Sequence, residues 1–305
     1  MGFFDFFSNK KENKEVLDGI TAVKVAAWDA AETNAKAYKA LADKIATIEP
    51  KYDEAKEGAA DFKAVIDEAK ALVVNAEATN DQLADMVVAL DKALLAFNIA
   101  NATPGTGTAP KVTSTNHYVP TGATEALMRA TFTGSNIIER GVCWSNEHNP
   151  TVLDDRTTEN HQLNGYIFHL RGLESATVYY LRPYVINKTY TVAYGDEVKI
   201  VTHPKGTCTG SWNEGALSEA ANARCRNAIR ETIEYFNQWT GIKGFHLTGN
   251  YGADTPTADC SYGGWMRIGP NAGNQAIGTV IHETGHGVGV GTHWRWYSCA
   301  DTRAN

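Results

Sequence analysis

The sequence lacks several features that would assign it at once to a class. No apolar run reaches the roughly 20 residues that a helix needs to cross a bilayer. Positive charge is scarce, because 28 lysines and arginines stand against 35 aspartates and glutamates, for a net charge of −7. A nucleic-acid-binding surface needs clustered basic residues. We therefore expect neither a transmembrane segment nor a nucleic-acid partner.

Cysteine is absent from the first 142 residues, and only five occur in the chain. Cys143 stands alone, whereas the other four lie in the last third of the sequence. Up to two disulfides could form among those four, and buried thiols explain them equally well. Cysteine usage therefore leaves the redox compartment open.

The first fifteen residues contain no recognisable secretory signal. Their apolar residues, Phe3 to Phe7, come before the lysines, whereas a signal peptide places its positive charges first. We interpret residues 1–15 as an N-terminal tail.

Residues 16–100 repeat apolar side chains at helical spacing in a background of alanine, lysine, aspartate and glutamate. The first segment should end after Ile48, because Pro50 cannot continue a helix. A second apolar series occupies 62–73, and a third follows a capping-box pattern at Thr79 to Gln82. Three amphipathic helices predict a small helical bundle.

Within this region, Ala55 to Phe97 resembles the FIVAR modules of bacterial surface proteins. The likeness depends on the segment Ala64 to Leu72 and on the Ala78-Thr79 turn. It implies a spacer or a carbohydrate-binding adhesion module. The residues themselves favour a helical spacer with a solvated charged face.

Residues 101–110 form a glycine- and proline-containing linker, and after them the apolar period changes to two. Several short strands within 111–203 predict a β-sandwich. Arg140 to Ser145, Leu173 to Tyr184 and Tyr194 to Val198 resemble a fibronectin type III domain of the kind common in secreted proteins of Bacteroidetes. We assign no functional site to this domain.

The last part of the chain, 208–305, predicts a mixed domain. A helix of about 25 residues should end near Gly241, and strands should follow at 245–248 and 262–269. A loop then leads into Gly278 to His293, the stretch that contains the candidate metal-binding and catalytic residues.

On a helix His282 and His286 lie four residues apart on one face, so both imidazoles can reach one ion, with Glu283 beside them. Zinc prefers such ligands, and a catalytic zinc site needs a third protein ligand while the fourth position holds water. The best candidate is His293, because Gly287, Gly289 and Gly291 can turn the chain back over the helix end. Asp301 is the alternative ligand.

The stretch resembles the metzincin zinc metallopeptidases, whose signature is H-E-x-x-H-x-x-G-x-x-H. His282, Glu283, His286 and Gly289 match it, but Thr292 occupies the last position and His293 comes one residue later. The resemblance implies an α+β metzincin-like half-domain, zinc as cofactor and Glu283 as general base. It also implies an edge strand that binds the substrate, which falls on Trp265, Met266, Arg267 and Ile268.

Metzincins also have a methionine turn beyond the motif, and none of the four methionines follows His293. We therefore expect a C-terminally truncated peptidase domain in a multidomain, monomeric protein that is secreted or displayed at the cell surface. The substrates would be proteins or peptides, host proteins and glycoproteins included. The alternative hypothesis is a surface adhesion or binding protein with a truncated or inactive peptidase domain.

Overall fold

The structure is a computed structural model that describes residues 22–103, 105–157, 165–215 and 217–301. The predicted N-terminal tail, 1–15, lies outside these ranges. The chain divides into two compact units, of which one comprises Met1–Thr106 with Lys188–Thr191 and the other Gly107–Asn187 with Val192–Asn305. Among the described residues, no helix has the length and apolar character needed to cross a membrane.

The first unit contains three helices at the positions that the apolar periodicity predicts. They are α1 (Ala22–Ile48), α2 (Ala59–Val73) and α3 (Asn80–Ala100), and a 3-10 turn at Glu49–Lys51 follows α1. Thr79 caps α3 in a capping box, because its hydroxyl accepts from the Gln82 backbone N–H at 3.2 Å and the Gln82 side chain accepts from the Thr79 N–H at 2.9 Å. All three helices contribute to one apolar core, which includes Leu41, Ile48, Phe62, Ile66, Leu83 and Leu90.

The second unit begins with a β-sandwich, as predicted. Its strands are β1 (Lys111–Thr115), β2 (Glu125–Thr133), β3 (Ile137–Ser145), β4 (Asp155–Arg156), β5 (Ile167–Arg171), β6 (Val178–Asn187), β7 (Val192–Tyr194) and β8 (Val198–Val201). One sheet has the order β1-β2-β5, the other the order β4-β3-β6-β7, and β8 also pairs with β6. Alternate side chains of both sheets fill a shared core, among them Met128, Phe168, Val142, Leu181 and Val185.

The C-terminal domain consists of a four-stranded sheet and the helices that pack on it. Its elements are β9 (Thr207–Asn213), α4 (Glu219–Trp239), β10 (Lys243–Tyr251), β11 (Ala258–Ser261), β12 (Trp265–Ile268), a 3-10 turn at Ala272–Asn274, α5 (Ile277–Gly287) and α6 (Trp294–Asp301). The sheet order is β11-β12-β10-β9. Strands β9, β10 and β12 run parallel, and β11 is an antiparallel edge strand.

Helices α4 and α5 pack against the same face of this sheet. Ile229 of α4 and Val280 of α5 share one core with the strand residues Leu247, Met266 and Ile268. Because side chains alternate along a strand, the neighbours of these strand residues point to the opposite face. The sheet thus has one face buried under helices and one face in solvent.

All five cysteines are thiols and none forms a disulfide. Four of them are buried, and Cys299 is exposed. Burial raises the pKa of Cys143 and of Cys260 to about 12 in each case, because the charged thiolate loses its hydration.

Candidate metal centre

The helix α5 carries the two histidines as the sequence predicts. Val280 and Thr284 are buried against the sheet, while His282 is exposed and Glu283 and His286 are half-buried. The ring centroids of His282 and His286 lie 5.1 Å apart, with the ring planes at 87°. The two imidazoles therefore share one face of the helix and are close enough to approach a common ion.

A glycine turn ends this helix. The Gly289 N–H donates to the His286 carbonyl at 3.0 Å, and the Val290 N–H donates to the Gly285 carbonyl at 2.9 Å. This pair of hydrogen bonds is the Schellman arrangement, which requires a residue of positive φ at the position after the cap. Gly289 supplies it with a φ of +115°, which confirms the predicted role of this glycine.

The turn also orients His286. The Nδ1 atom of His286 lies 2.7 Å from the carbonyl oxygen of Val290. A carbonyl only accepts, so Nδ1 carries the proton and Nε2 keeps its lone pair. Metal-binding histidines almost always donate their second ring N–H to a carbonyl or a carboxylate in this way. His286 is thus held in the tautomer that a zinc ligand requires.

His293, the predicted third ligand, lies at the start of α6. Its Nδ1 atom accepts a hydrogen bond from the Arg295 backbone N–H at 3.2 Å, at the point where α6 begins. The side chain therefore caps the helix in the manner of an N-cap residue. Its ring packs against Tyr262, with the centroids 4.7 Å apart, and next to Trp294 at 5.5 Å.

The third zinc ligand is consequently not assembled. Within the described ranges, no group of three or more histidine, cysteine, aspartate or glutamate side chains is placed to hold a metal ion. The side chain of Asp301, the alternative ligand, lies outside the part that the structure describes. His282 and His286 share one face of α5, whereas His293 is engaged as a helix cap.

Glu283 lies next to the edge strand β11. Burial raises the pKa of Cys260, which belongs to β11, and the negative charge of Glu283 is the next largest cause. The same strand is in contact with the end of α5, since the Gly263 N–H donates to the Gly287 carbonyl at 2.9 Å. The carboxylate of the predicted general base thus lies beside the one edge of the sheet that borders α5.

The prediction of an edge strand at Trp265–Ile268 is wrong. Trp265–Ile268 is not an edge strand, because it pairs with β10 on one side and with β11 on the other. Met266 and Ile268 are fully buried in the core beneath α5. Trp265 and Arg267 point to the opposite face of the sheet.

Two features of this region escaped the sequence analysis. Four-residue β11 is too short to show a period, and it is the strand that borders Glu283. Tyr262 contacts His293, although nothing in its spacing selects it. The hydroxyl of a second tyrosine, Tyr297, donates to the Gly291 carbonyl at 2.6 Å and so stabilises the glycine turn.

No protein-family profile and no curated protein sequence matches the chain. Solved structures that are similar to part of it include fibronectin type III domains. The FN1–FN3 domains of chicken CNTN1 are 15% identical over 32% of this chain and 33% of theirs, with a TM-score of 0.27. The sixth such domain of human fibronectin type III domain containing protein 3 is 18% identical over 38% of this chain and 97% of its own, with a TM-score of 0.23.

A family 28 exopolygalacturonase from Yersinia enterocolitica is 10% identical over 51% of this chain and 30% of its own, with a TM-score of 0.29. The chain thus spans about a third of the length of the CNTN1 fragment and of the exopolygalacturonase. The chain is a multidomain protein of helices and β-sheets whose sandwich-like sheets have fibronectin type III-like neighbours.

Proposed function

We propose that this chain is a zinc-dependent endopeptidase whose metzincin-like catalytic domain lies within 208–305. The observation that supports it is the shared face of α5, on which His282 and His286 lie with their rings 5.1 Å apart. Glu283 stands next to the first of them, and the Val290 carbonyl holds the second in the metal-binding tautomer. Secretion or surface display, a monomeric state and protein substrates belong to the same proposal.

His282 and His286 would hold the zinc ion, which would supply a Lewis acid and lower the pKa of a bound water to about 7. Glu283, next to His282 in the sequence, would be the general base and acid of the reaction. His286 contributes orientation, since its ring cannot rotate without losing the bond to Val290.

His293 serves as third ligand in this proposal, at a small energetic cost. Its capping bond to the Arg295 N–H would break, and the loss of an N-cap costs about 1 kcal/mol. Zinc binding to a complete ligand set contributes roughly 10–16 kcal/mol in small zinc domains. The metal can therefore offset the loss of the cap many times over.

The substrate would bind along β11. The described residues contain no strand on the outer side of Ala258–Ser261, so this edge can pair with an extended peptide. This strand replaces Trp265–Ile268 as the candidate substrate edge.

A second function is favoured by one specific observation. His293 is engaged as a helix cap rather than directed at the histidine pair. A chain that keeps this arrangement would be an adhesion or binding protein with an inactive peptidase-like domain.

The two functions are separated by measuring bound zinc and casein cleavage on the same preparations. We expect about one zinc per chain and cleavage for the wild type, retained zinc without cleavage for Glu283→Ala, and loss of both for His286→Ala. His246→Ala is the matched control, because this histidine lies on β10 between the hydroxyls of Thr209 and Ser211. Equal, negligible cleavage by wild type and Glu283→Ala at full zinc occupancy would support the binding protein instead.

A further inference from the structure

The solvent-facing side of the C-terminal sheet carries an ordered polar surface. We call it the outer sheet face and define it by Asn213, His246, Asn250, Asp259, Trp265 and Arg267, which are exposed or half-buried. They come from all four strands and point away from the helices. This face is separate from the histidine pair, which lies on the helix-covered side of the sheet.

One row of side chains crosses the whole sheet. The strand registers place Asn213 beside Asn250, Asn250 beside Arg267, and Arg267 beside Asp259. With strands about 4.8 Å apart, the row extends over about 14 Å. It is long enough to contact several units of a linear polymer.

The members of the row are fixed by bonds to each other. The Asn213 side-chain amide donates to Asn250 Oδ1 at 2.8 Å, and Arg267 Nε donates to Asp259 Oδ1 at 3.0 Å. His246 is held in the same way, with its two ring nitrogens 2.8 Å and 3.0 Å from the hydroxyls of Thr209 and Ser211. Side chains that are already ordered lose little entropy when a ligand binds.

Trp265 is the one large apolar group on this face, and 49% of its surface is exposed. Its strand register places it beside Thr248, next to the polar row. The Arg267 guanidinium lies 5.6 Å from the centroid of the Trp265 ring, and this cation–π contact helps to hold the indole in place. A rigid aromatic ring amid amides and hydroxyls offers an apolar platform surrounded by hydrogen-bonding groups.

We propose that the outer sheet face binds a neutral carbohydrate chain. A pyranose has an apolar C–H face that complements the Trp265 ring, and hydroxyls that complement the side-chain amide of Asn213. The Asn250 amide instead fixes the row, because its nitrogen donates to the carbonyls of Thr248 and Met266. Arg267 and Asp259 neutralise each other as an ion pair, so the row has no net charge to select an anion or a cation.

The same geometry argues against a peptide as the occupant. A peptide bound by strand addition lies in the plane of the sheet, beside an edge strand, whereas these side chains project from its face and Trp265 stands on β12, which is paired on both sides. The row crosses the sheet in a line, which suits an extended polymer better than a small molecule that needs a cavity.

Titration of the full chain with neutral hexasaccharides of glucose, xylose, mannose and N-acetylglucosamine, followed by calorimetry, tests the proposal. We expect at least one of them to bind, and Trp265→Ala to weaken its affinity about tenfold or more, because the stacking surface is removed. Asn213→Ala should weaken it by a smaller factor. Trp294→Ala is the matched control, since this exposed tryptophan lies on α6 and its loss should change the affinity less than about twofold.

Three results would each overturn the proposal: no binding of any neutral hexasaccharide up to about 10 mM, equal affinity of wild type and Trp265→Ala, or preference for a hexamer of galacturonic acid. Circular dichroism of each variant establishes that it is folded, as expected for truncation of an exposed side chain. The titration requires neither zinc nor cleavage. Its failure would therefore leave the peptidase proposal untouched, and a failure of the peptidase test would leave this one standing.

Discussion

The Nδ1 atom of His286 and the carbonyl oxygen of Val290 lie 2.7 Å apart, so the turn that ends α5 also orients one of its two histidines. The turn that ends helix α5 therefore also fixes the orientation of a proposed zinc ligand. A second hydrogen bond links the turn to this residue, because the Thr292 hydroxyl donates to the His286 carbonyl at 2.5 Å. Anything that distorts the glycine turn is expected to disturb the histidine as well.

Gly289→Ala tests this coupling. Gly289 has a φ of +115°, and an added Cβ would lie 3.1 Å from the Cβ of His293. A non-glycine residue held in such a conformation costs on the order of 1–3 kcal/mol. We expect urea unfolding to show a stability loss of this size, accompanied by weaker zinc retention. An alanine variant as stable as the wild type would mean that the turn has another conformation in solution.

Two other glycines of α5 should respond to alanine in opposite directions. Nothing lies within 4 Å of a Cβ at Gly285, whereas a Cβ at Gly287 would lie 2.9 Å from Cys260 Sγ and 3.2 Å from Phe245 Cζ. Alanine inside a helix is about 1 kcal/mol more favourable than glycine. We expect Gly285→Ala to raise the urea midpoint.

Gly287→Ala is the counterpart, and we expect it to lower the midpoint, because overpacking a filled site costs about 1–3 kcal/mol. The two variants control for each other, since the same methyl group is added two residues apart in one helix. A stabilising Gly287→Ala would contradict the close approach of α5 to β11.

Local patterns predicted local structure well. The helical periods within 22–100, the capping box at Thr79 and the glycine turn at Gly289 all involve residues close in sequence, and the structure contains them. Strands β9 and β11 were not predicted. Strand β9 is mostly polar and interrupted by Gly210, and β11 has only four residues, so neither shows the alternation of a half-buried strand.

The candidate site was predictable only in part, because sequence patterns predict local geometry but not contacts between distant residues. Two histidines four apart must share a helix face, whatever surrounds them. The position of His293 depends instead on where the chain leaves the glycine turn. Being one residue later than in the metzincin signature, it meets the first turn of α6 and caps it. Trp265–Ile268 pairs with a strand on each side, and this pairing depends on the tertiary fold, which residue spacing does not predict.

Gly122→Ala tests the junction between the sandwich and the C-terminal domain. The Ala123 N–H donates to the Gln238 carbonyl at 2.6 Å, which satisfies a carbonyl that the end of α4 leaves unpaired. A Cβ at Gly122 would lie 2.8 Å from that same oxygen and 3.1 Å from the Trp239 ring. We expect a loss of about 1–3 kcal/mol in urea unfolding.

Gly241→Ala is the control for the junction. Gly241 follows α4 at the same end, and its Cβ would meet only the Pro204 carbonyl at an ordinary 3.7 Å. This variant should remain within about 1 kcal/mol of the wild type. If both variants unfold at the same urea concentration as the wild type, the two domains do not make this contact in solution.

Thiol counting tests the burial of the cysteines. Four of the five are buried, and burial raises the pKa of Cys143 and Cys260 to about 12, so very little thiolate forms at pH 8. A disulfide reagent such as 5,5′-dithiobis(2-nitrobenzoic acid) should therefore react rapidly with one thiol per native chain, that of exposed Cys299, and with five after denaturation.

Cys299→Ser should abolish the rapid phase, and Cys225→Ser should leave it unchanged. Because burial raises the pKa of Cys143 and of Cys260 to about 12, raising the pH from 7 to 9 should add neither of these thiols to the rapid phase. Two or more rapid thiols in the native chain would show that at least one of the buried cysteines is open to solvent.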